Sequence, residues 1–174
     1  LWYLLKDEEN TKIAKKNETT EKRKKNYSKE VFEEAKLGFM ASASVGRVDS
    51  VKELLQKGLV DVNAVDKYKK TALMWAAEKG HADVARVLLQ NGADVNAVDS
   101  DEWTALRFAV EEGHVDVAKV LLQNGADVNA VEKDKWTALH WAAWKEHVDV
   151  AKVLIRNGAD VNAGDEYKYT ALHL

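Results

Sequence analysis

The sequence predicts an all-α solenoid, in which short pairs of helices stack along one axis, joined by hairpin tips and preceded by a charged segment. Two observations predict this class. The tripeptide Thr-Ala-Leu returns every 33 residues, starting at Thr71, Thr104, Thr137 and Thr170. Residues 82–98 and 115–131 agree at 15 of 17 positions. Because such units bury their apolar faces against one another, they form an extended stack.

Each unit is expected to hold two helices and a turn. In the unit over 66–98, Thr71 is a good N-cap for the first helix. Gly80 ends that helix, since glycine tolerates a positive φ. The second helix, over 82–91, carries apolar side chains at helical spacing and ends before Gly92.

These units resemble the ankyrin repeat family. The matching motifs are Thr-Ala-Leu-His at 137–140, Gly-His at 113–114, Val-Leu-Leu at 120–122 and Gly-Ala-Asp-Val-Asn-Ala at 125–130. The resemblance covers residues 32–174 and implies an ankyrin-type helix-turn-helix solenoid. It predicts a charged, helical lead-in over 1–31, a divergent first repeat over 32–65, full repeats over 66–98, 99–131 and 132–164, and a truncated repeat over 165–174.

Three positions depart from the family's pattern. Alanine follows the threonine where the family has proline, which accounts for a chain without a single proline. The hairpin tips carry Lys69, Glu102, Lys135 and Lys168 where the family has glycine. Glu146 replaces the glycine between the helices. If the tips still need a positive φ, each such residue costs about 1 kcal/mol. Near-identical frames with varied tips are expected either from recent duplication in a natural protein, of which this is a fragment, or from a designed ankyrin repeat binder.

Composition limits the possible functions. The chain has 174 residues, a net charge of −3 and no cysteine, which excludes disulfides and cysteine nucleophiles. It has no apolar run of the roughly 20 residues that a membrane-spanning helix needs. We find no phosphate-binding glycine loop and no nucleophile motif. We therefore expect no enzyme activity, no cofactor, no small-molecule substrate and a cytoplasmic or nuclear location.

The five histidines are expected to be structural. His81, His114 and His147 share one repeat position, so they form a row spaced by about 10 Å, too far apart to share one zinc ion. His140 and His173 stand where the family has a histidine that bonds the turn. The Asp-x-Asn pairs at 94–96, 127–129 and 160–162 are expected to bond backbone groups.

The repeats differ from one another mainly at the turn tips and in the first helices, which in the family line one concave face. The resemblance therefore places the variable side chains on one surface, and large aromatic residues are typical of binding hot spots. Trp75, Phe108 and Trp141 are expected to pack in the core. The predicted partner-binding residues are Tyr68, Lys70, Asp101, Trp103, Arg107, Glu111, Asp134, Trp136, Trp144, Tyr167 and Tyr169.

The sequence predicts a non-enzymatic protein-interaction module that binds a protein or peptide through this aromatic-rich concave face. Self-association is an alternative, because apolar side chains at the C-terminal end of the array have no closing repeat over them. Binding of single-stranded nucleic acid is a second alternative. The charge argues against it: residues 37–174 hold 16 basic and 21 acidic side chains, a net charge of −5.

Overall fold

The computed structural model describes residues 29–132 and 134–174. Within these ranges it contains eight α-helices and one closing 3-10 turn, and a single β-bridge between Val65 and Thr71. The all-α solenoid predicted from the sequence is therefore confirmed. The helices are α1 Lys29–Ser44, α2 Val48–Gln56, α3 Ala72–Glu78, α4 Ala82–Gln90, α5 Ala105–Glu111, α6 Val115–Gln123, α7 Ala138–Trp144 and α8 Val148–Arg156, and the 3-10 turn is Ala171–His173.

The helices form two layers. The first helix of each pair (α1, α3, α5 and α7) packs on the first helix of the next pair, and the second helices (α2, α4, α6 and α8) pack on one another in the same way. The core lies between the layers and is a single cluster that runs the length of the array. Helices of seven to nine residues are too short to be stable alone, so this packing holds them.

The N-terminal helix lies across the predicted start of the repeats. Helix α1, Lys29–Ser44, continues without a break past residue 31. Residues 1–28, which make up nearly all of the predicted lead-in, lie outside the described residues. The division of the chain into a lead-in and five units therefore stays a prediction.

Local signals set the helix ends. The Thr71 hydroxyl oxygen accepts a hydrogen bond from the backbone N–H of Met74 at 3.2 Å and so caps α3. In the third full repeat, His140 bonds its own turn: its Nδ1 accepts from the backbone N–H of Thr137 at 3.2 Å. Its Nε2 lies 3.1 Å from the carbonyl oxygen of Tyr169 in the next unit. The turn-bonding role expected for this histidine is therefore observed.

The hairpin tips, which we call the fingers, do adopt the left-handed conformation. The four non-glycine residues at the tips have φ between 59° and 68°: Lys69, Glu102, Lys135 and Lys168. In the first finger the tip is held by Asp66, whose Oδ1 accepts from the backbone N–H groups of Tyr68 at 2.8 Å and Lys70 at 3.0 Å. Each finger therefore keeps its turn against the preference of its tip residue.

Asparagines join consecutive repeats at the opposite end of the helices. Asn63 Oδ1 accepts from the backbone N–H of Asp94 at 2.8 Å, and its Nδ2 donates to the carbonyl oxygen of Gly92 at 3.2 Å. Asn96 and Asn129 make the same two bonds to the repeats that follow them. The Asp-x-Asn pairs thus bond backbone groups, as expected from their repetition.

The row of histidines packs on glycines. His81 Nε2 lies 3.1 Å from the carbonyl oxygen of Ser44, and its ring covers Gly46 so closely that a Cβ there would come within 2.7 Å. His114 covers Gly80 and His147 covers Gly113 in the same manner. The next repeat has Glu146 at the position of these glycines, and it keeps a positive φ of 57°.

Candidate interaction surface

A lysine fills the gap between the first helices of the first two full repeats. Lys70 Nζ lies 4.3 Å from the ring centre of Trp75 and 4.0 Å from that of Phe108. It also pairs with the carboxylate of Glu78. Only 13% of the Lys70 side chain is exposed, so the array holds it in place. A cation over two ring faces and beside a carboxylate is a stable arrangement.

An arginine fills the next gap. The Arg107 guanidinium carbon lies 4.1 Å from the ring centre of Trp103 and 3.6 Å from that of Trp141. Arg107 was expected among the partner-binding residues, but it is 3% exposed and cannot reach a partner. The physical reason is that a flat, weakly hydrated guanidinium is more stable between two indole rings than in contact with water alone.

Two carboxylates balance this buried charge. Arg107 Nη1 donates to Glu111 at 2.6 Å, whereas Nε lies 2.9 Å from Glu132 at an angle that makes an ion pair and not an aligned hydrogen bond. Burial raises the pKa of Glu111, but the hydrogen bond and charge of Arg107 outweigh it and hold that pKa below its ordinary value. Burial dominates at Glu132 and raises its pKa.

Three tryptophans form a cluster in the third full repeat. The ring centre of Trp136 lies 4.8 Å from that of Trp141 and 6.2 Å from that of Trp144, with edge-to-face geometry in both pairs. Trp136 also stacks on His140. Trp144, at the end of α7, is 59% exposed. This tryptophan cluster presents an exposed aromatic ring at the end of a first helix.

The other predicted residues are distributed along the same side. Tyr68, Tyr167 and Tyr169 are 55%, 72% and 54% exposed, while Trp103 and Trp136 are half-buried. Asp101 and Asp134 are exposed at their fingers, and Glu111 is largely covered. Phe108 is buried, as expected, whereas Trp75 and Trp141 are only partly buried.

Two recesses open on this surface. The first, of about 340 Å³, lies between the last two fingers and is lined by Asp134, Trp136, Trp141, Asp165, Glu166 and Tyr167. The second, of about 480 Å³, lies at the other end between α1 and the first finger, where Leu37, Met40 and Trp75 form apolar walls beside Tyr68. Sequence reasoning missed the part played by α1, because that helix precedes the units whose variation marked the surface.

The described residues contain no group of three histidines and acids placed to hold a metal ion. Among those residues, no helix combines the length and the apolar character that crossing a bilayer requires.

The stacked helix pairs with projecting fingers define the chain as a helical repeat protein of the kind that recognises other proteins. Comparison with protein families agrees: "Ankyrin repeats (3 copies)" matches residues 14–99 and 39–132, and "Ankyrin repeat" matches residues 134–166. The chain belongs to the ankyrin repeat family. Ankyrin repeats are protein–protein interaction modules and are typically not enzymes, so protein binding is the class of function.

Known proteins share shorter stretches with this chain. It is 42% identical over 62 residues to "Ankyrin repeat, SAM and basic leucine zipper domain-containing protein 1" of Saimiri boliviensis boliviensis, which is 36% of this chain and 13% of that protein. It is 32% identical over 77 residues to "Acyl-CoA-binding domain-containing protein 6 homolog" of Dictyostelium discoideum, 44% of this chain and 24% of that protein. It is 42% identical over 52 residues to "Palmitoyltransferase akr1" of Schizosaccharomyces pombe, 30% of this chain and 8% of that protein. The chain thus matches less than a quarter of the length of each.

Proposed function

We propose that the chain binds a protein or peptide partner, without chemistry of its own, through the face formed by its fingers and first helices. The observation that supports this most is the exposure of Trp144 against Trp136. The array's core does not need this side chain, which leaves a large apolar ring in water. Burial of such a ring by a partner is favourable at about 25 cal/mol per Å² of apolar surface.

The surroundings of the tryptophan cluster fit a binding site. Charged side chains border it, among them Lys145, which pairs with Glu111 at 3.5 Å, and the exposed Asp134. An apolar centre with a polar rim is the usual anatomy of a protein interface. We propose that the partner contacts the cluster first and the apolar recess beside α1 at the other end of the face.

The test compares three variants in affinity capture from a cell extract, with bound proteins quantified by mass spectrometry. Trp144→Ala and the double variant Trp136→Ala/Trp144→Ala remove the proposed anchor. Ile155→Ala is the matched control, because it removes a side chain that is 49% exposed on α8, in the layer of second helices. We expect proteins that wild type and Ile155→Ala retain and that both tryptophan variants lose. Equal capture by all four chains contradicts the proposal.

Self-association through the C-terminal end is a second candidate. Leu172 is 93% exposed, and Val161 and Leu174 are 47% and 44% exposed on the same last units. Apolar side chains grouped at one end of a repeat stack are covered when another molecule packs there. Sedimentation of wild type and of Leu172→Lys from 10 to about 500 µM tests this idea. A concentration-dependent dimer that the substitution removes supports it, and a monomer throughout rejects it.

The same proposal places the module inside the cell, in the cytoplasm or the nucleus, on the ground of family membership. It also takes the partner to be protein and not nucleic acid. The net charge of −5 over residues 37–174 repels a phosphate backbone, so no mobility shift is expected with single-stranded oligonucleotides.

A further inference from the structure

The two gaps between successive full repeats follow one rule, and the gap after the last full repeat departs from it. Lys70 lies between Trp75 and Phe108 in the first gap. Arg107 lies between Trp103 and Trp141 in the second, beside Glu132. Both gaps therefore hold a cation of the chain itself against aromatic rings.

The third gap again has aromatic rings and carboxylates, but Leu174 and Trp144 stand where the second gap has Trp141 and Glu111, and the described lining holds no cation. Its recess of about 340 Å³ has walls from Trp136, Trp141 and Tyr167. The repeat position of Arg107 is occupied here by His140, whose two ring nitrogens already bond Thr137 and the Tyr169 carbonyl. In the part of the chain that the structure describes, no lysine or arginine lines this recess.

One carboxylate in the recess has an oxygen to offer to a ligand. Asp165 is 9% exposed, and its Oδ1 accepts from the backbone N–H groups of Tyr167 and Tyr169, both at 2.9 Å. Its Oδ2 has no hydrogen-bond donor among residues 29–132 and 134–174. At the same position in two earlier units the second oxygen accepts an indole N–H, from Trp75 to Asp66 at 3.2 Å and from Trp141 to Glu132 at 3.3 Å. The equivalent residue after Asp165 is Leu174, which has no such donor.

Three acidic side chains line the recess. Glu166, Asp134 and Asp165 all border the Tyr167 hydroxyl. The hydrogen bond and charge of Glu166, with smaller effects of burial and the two aspartates, raise the pKa of Tyr167 above its ordinary value. Aromatic faces combined with carboxylates favour organic cations, which bind rings and lose little hydration in doing so.

We propose that the recess between the last two fingers binds a lysine or arginine side chain of the partner, whose charged group lies against aromatic rings as those of Lys70 and Arg107 do in the earlier gaps. The ring faces of Trp136 and Trp141 contact the alkyl stem and the charged head. Asp165 Oδ2 accepts an N–H from that head. This inference rests on the proposed function for the source of the cation, while the site itself is testable without any partner.

The experiment titrates the chain with small probes and follows the indole N–H resonances of Trp136 and Trp141 by NMR. The probes are n-butylammonium and n-butylguanidinium chloride, with n-butanol as the neutral counterpart and sodium chloride at equal concentration as the control for ionic strength. We expect both cations to shift these two resonances in a saturable manner with a midpoint on the order of millimolar, as ligands of so few atoms allow. Neither n-butanol nor sodium chloride should do so.

A matched pair of variants locates the site. Asp165→Asn keeps the oxygen that holds the finger and removes the charge, so it should weaken cation binding at least about five-fold. Asp116→Asn makes the same change on α6, at a side chain that is 79% exposed in the layer of second helices, and should leave binding unchanged. Equal shifts with n-butanol, or equal weakening by both variants, overturn the cation site. That outcome does not contradict the proposed binding surface, since Trp144 does not line the recess. The proposed function is overturned instead if Trp144→Ala captures the same proteins as wild type.

Discussion

The guanidinium carbon of Arg107 lies 3.6 Å from the ring centre of Trp141, so a charged side chain of one repeat is closed off by an aromatic ring of the next. Two carboxylates, on Glu111 and Glu132, complete the enclosure. The Arg107–Trp141 contact shows that variable positions have two roles in this array: some hold neighbouring units together, and others face outward.

Removal of the Arg107 charge should destabilise the array. Arg107→Met keeps an apolar stem between the rings but leaves Glu111 and Glu132 without their partner in a poorly solvated place. Because breaking a buried ion pair strands the remaining charge, we expect a loss of about 2–4 kcal/mol in the free energy of unfolding. Urea denaturation followed by circular dichroism measures it.

The control for Arg107 is Arg86→Met, which removes an arginine whose side chain is 51% exposed and paired with Asp83 on the protein surface. This substitution is expected to change the unfolding free energy by less than about 0.5 kcal/mol. Similar effects of the two substitutions would mean that the enclosure of Arg107 adds no stability.

Glu111 should make stability depend on acid pH. Its pKa is lowered in the folded chain below the ordinary value of 4.5, so its ionised form favours the folded state. That contribution is fully present above the unfolded value and is lost as the pH falls through the folded pKa. Glu111→Gln should therefore unfold at lower urea than wild type at pH 7, and the difference should shrink as the pH is lowered from 5 towards 3.

The neighbouring Glu112→Gln removes the same charge at an exposed position and serves as the comparison at pH 7, where a change within about 0.5 kcal/mol of wild type is expected. A difference in stability to urea between Glu111→Gln and wild type that stays constant down to pH 3 would contradict the view that the Arg107–Glu111 pair causes the pH dependence.

Glycine at the finger tips should stabilise the chain. Lys69, Glu102 and Lys168 have φ of 59°, 68° and 65°, a region that disfavours residues with a Cβ. Each substitution by glycine relieves about 1 kcal/mol of backbone strain, less the entropy that glycine gains when unfolded, for a net gain of about 0.5 kcal/mol. The triple variant should melt several degrees higher. Lys67→Gly, in the same finger but without a positive φ, should not raise the melting temperature.

The glycines under the histidine row should tolerate no side chain. Gly80→Ala introduces a Cβ within 2.7 Å of the His114 ring and keeps a φ of 77°, whereas Gly92→Ala has a φ of 87° and open space around it. Both substitutions should lower the free energy of unfolding by about 1 kcal/mol because of backbone strain. Gly80→Ala should lose a further 1–3 kcal/mol or so from overpacking. Thermal unfolding of the two variants separates these contributions, and equal losses would show that the ring moves aside freely.

The sequence was sufficient for the architecture because repetition carries it. The threonines, which recur every 33 residues, mark where each first helix begins, and the glycines mark where helices end. Spacing alone also predicts that the histidine row holds no metal, since residues at one repeat position cannot converge on one point.

The surface was harder to predict than the fold. Variation between repeats marked Arg107 and Trp144 equally, yet one is 3% and the other 59% exposed. The difference depends on the neighbouring unit: Trp141 of the next repeat covers Arg107, and no described aromatic ring of a following repeat covers Trp144. A pattern within single units does not contain that information. It emerges when the side chains of neighbouring repeats are considered together.

Glu146 has a consequence for lengthening the array. Any unit that stacks next with a histidine in the usual place would bring that ring onto the Glu146 side chain. In the earlier units the ring lies over a bare glycine, where an added Cβ would come within 2.7–2.9 Å of it. Fusion of a copy of residues 99–131 directly after the last full repeat therefore requires Glu146→Gly, so that the histidine ring of the copy can pack on residue 146. The same one-residue difference makes the stack directional: a repeat with the usual histidine can pack before the repeat over 132–164 but not after it.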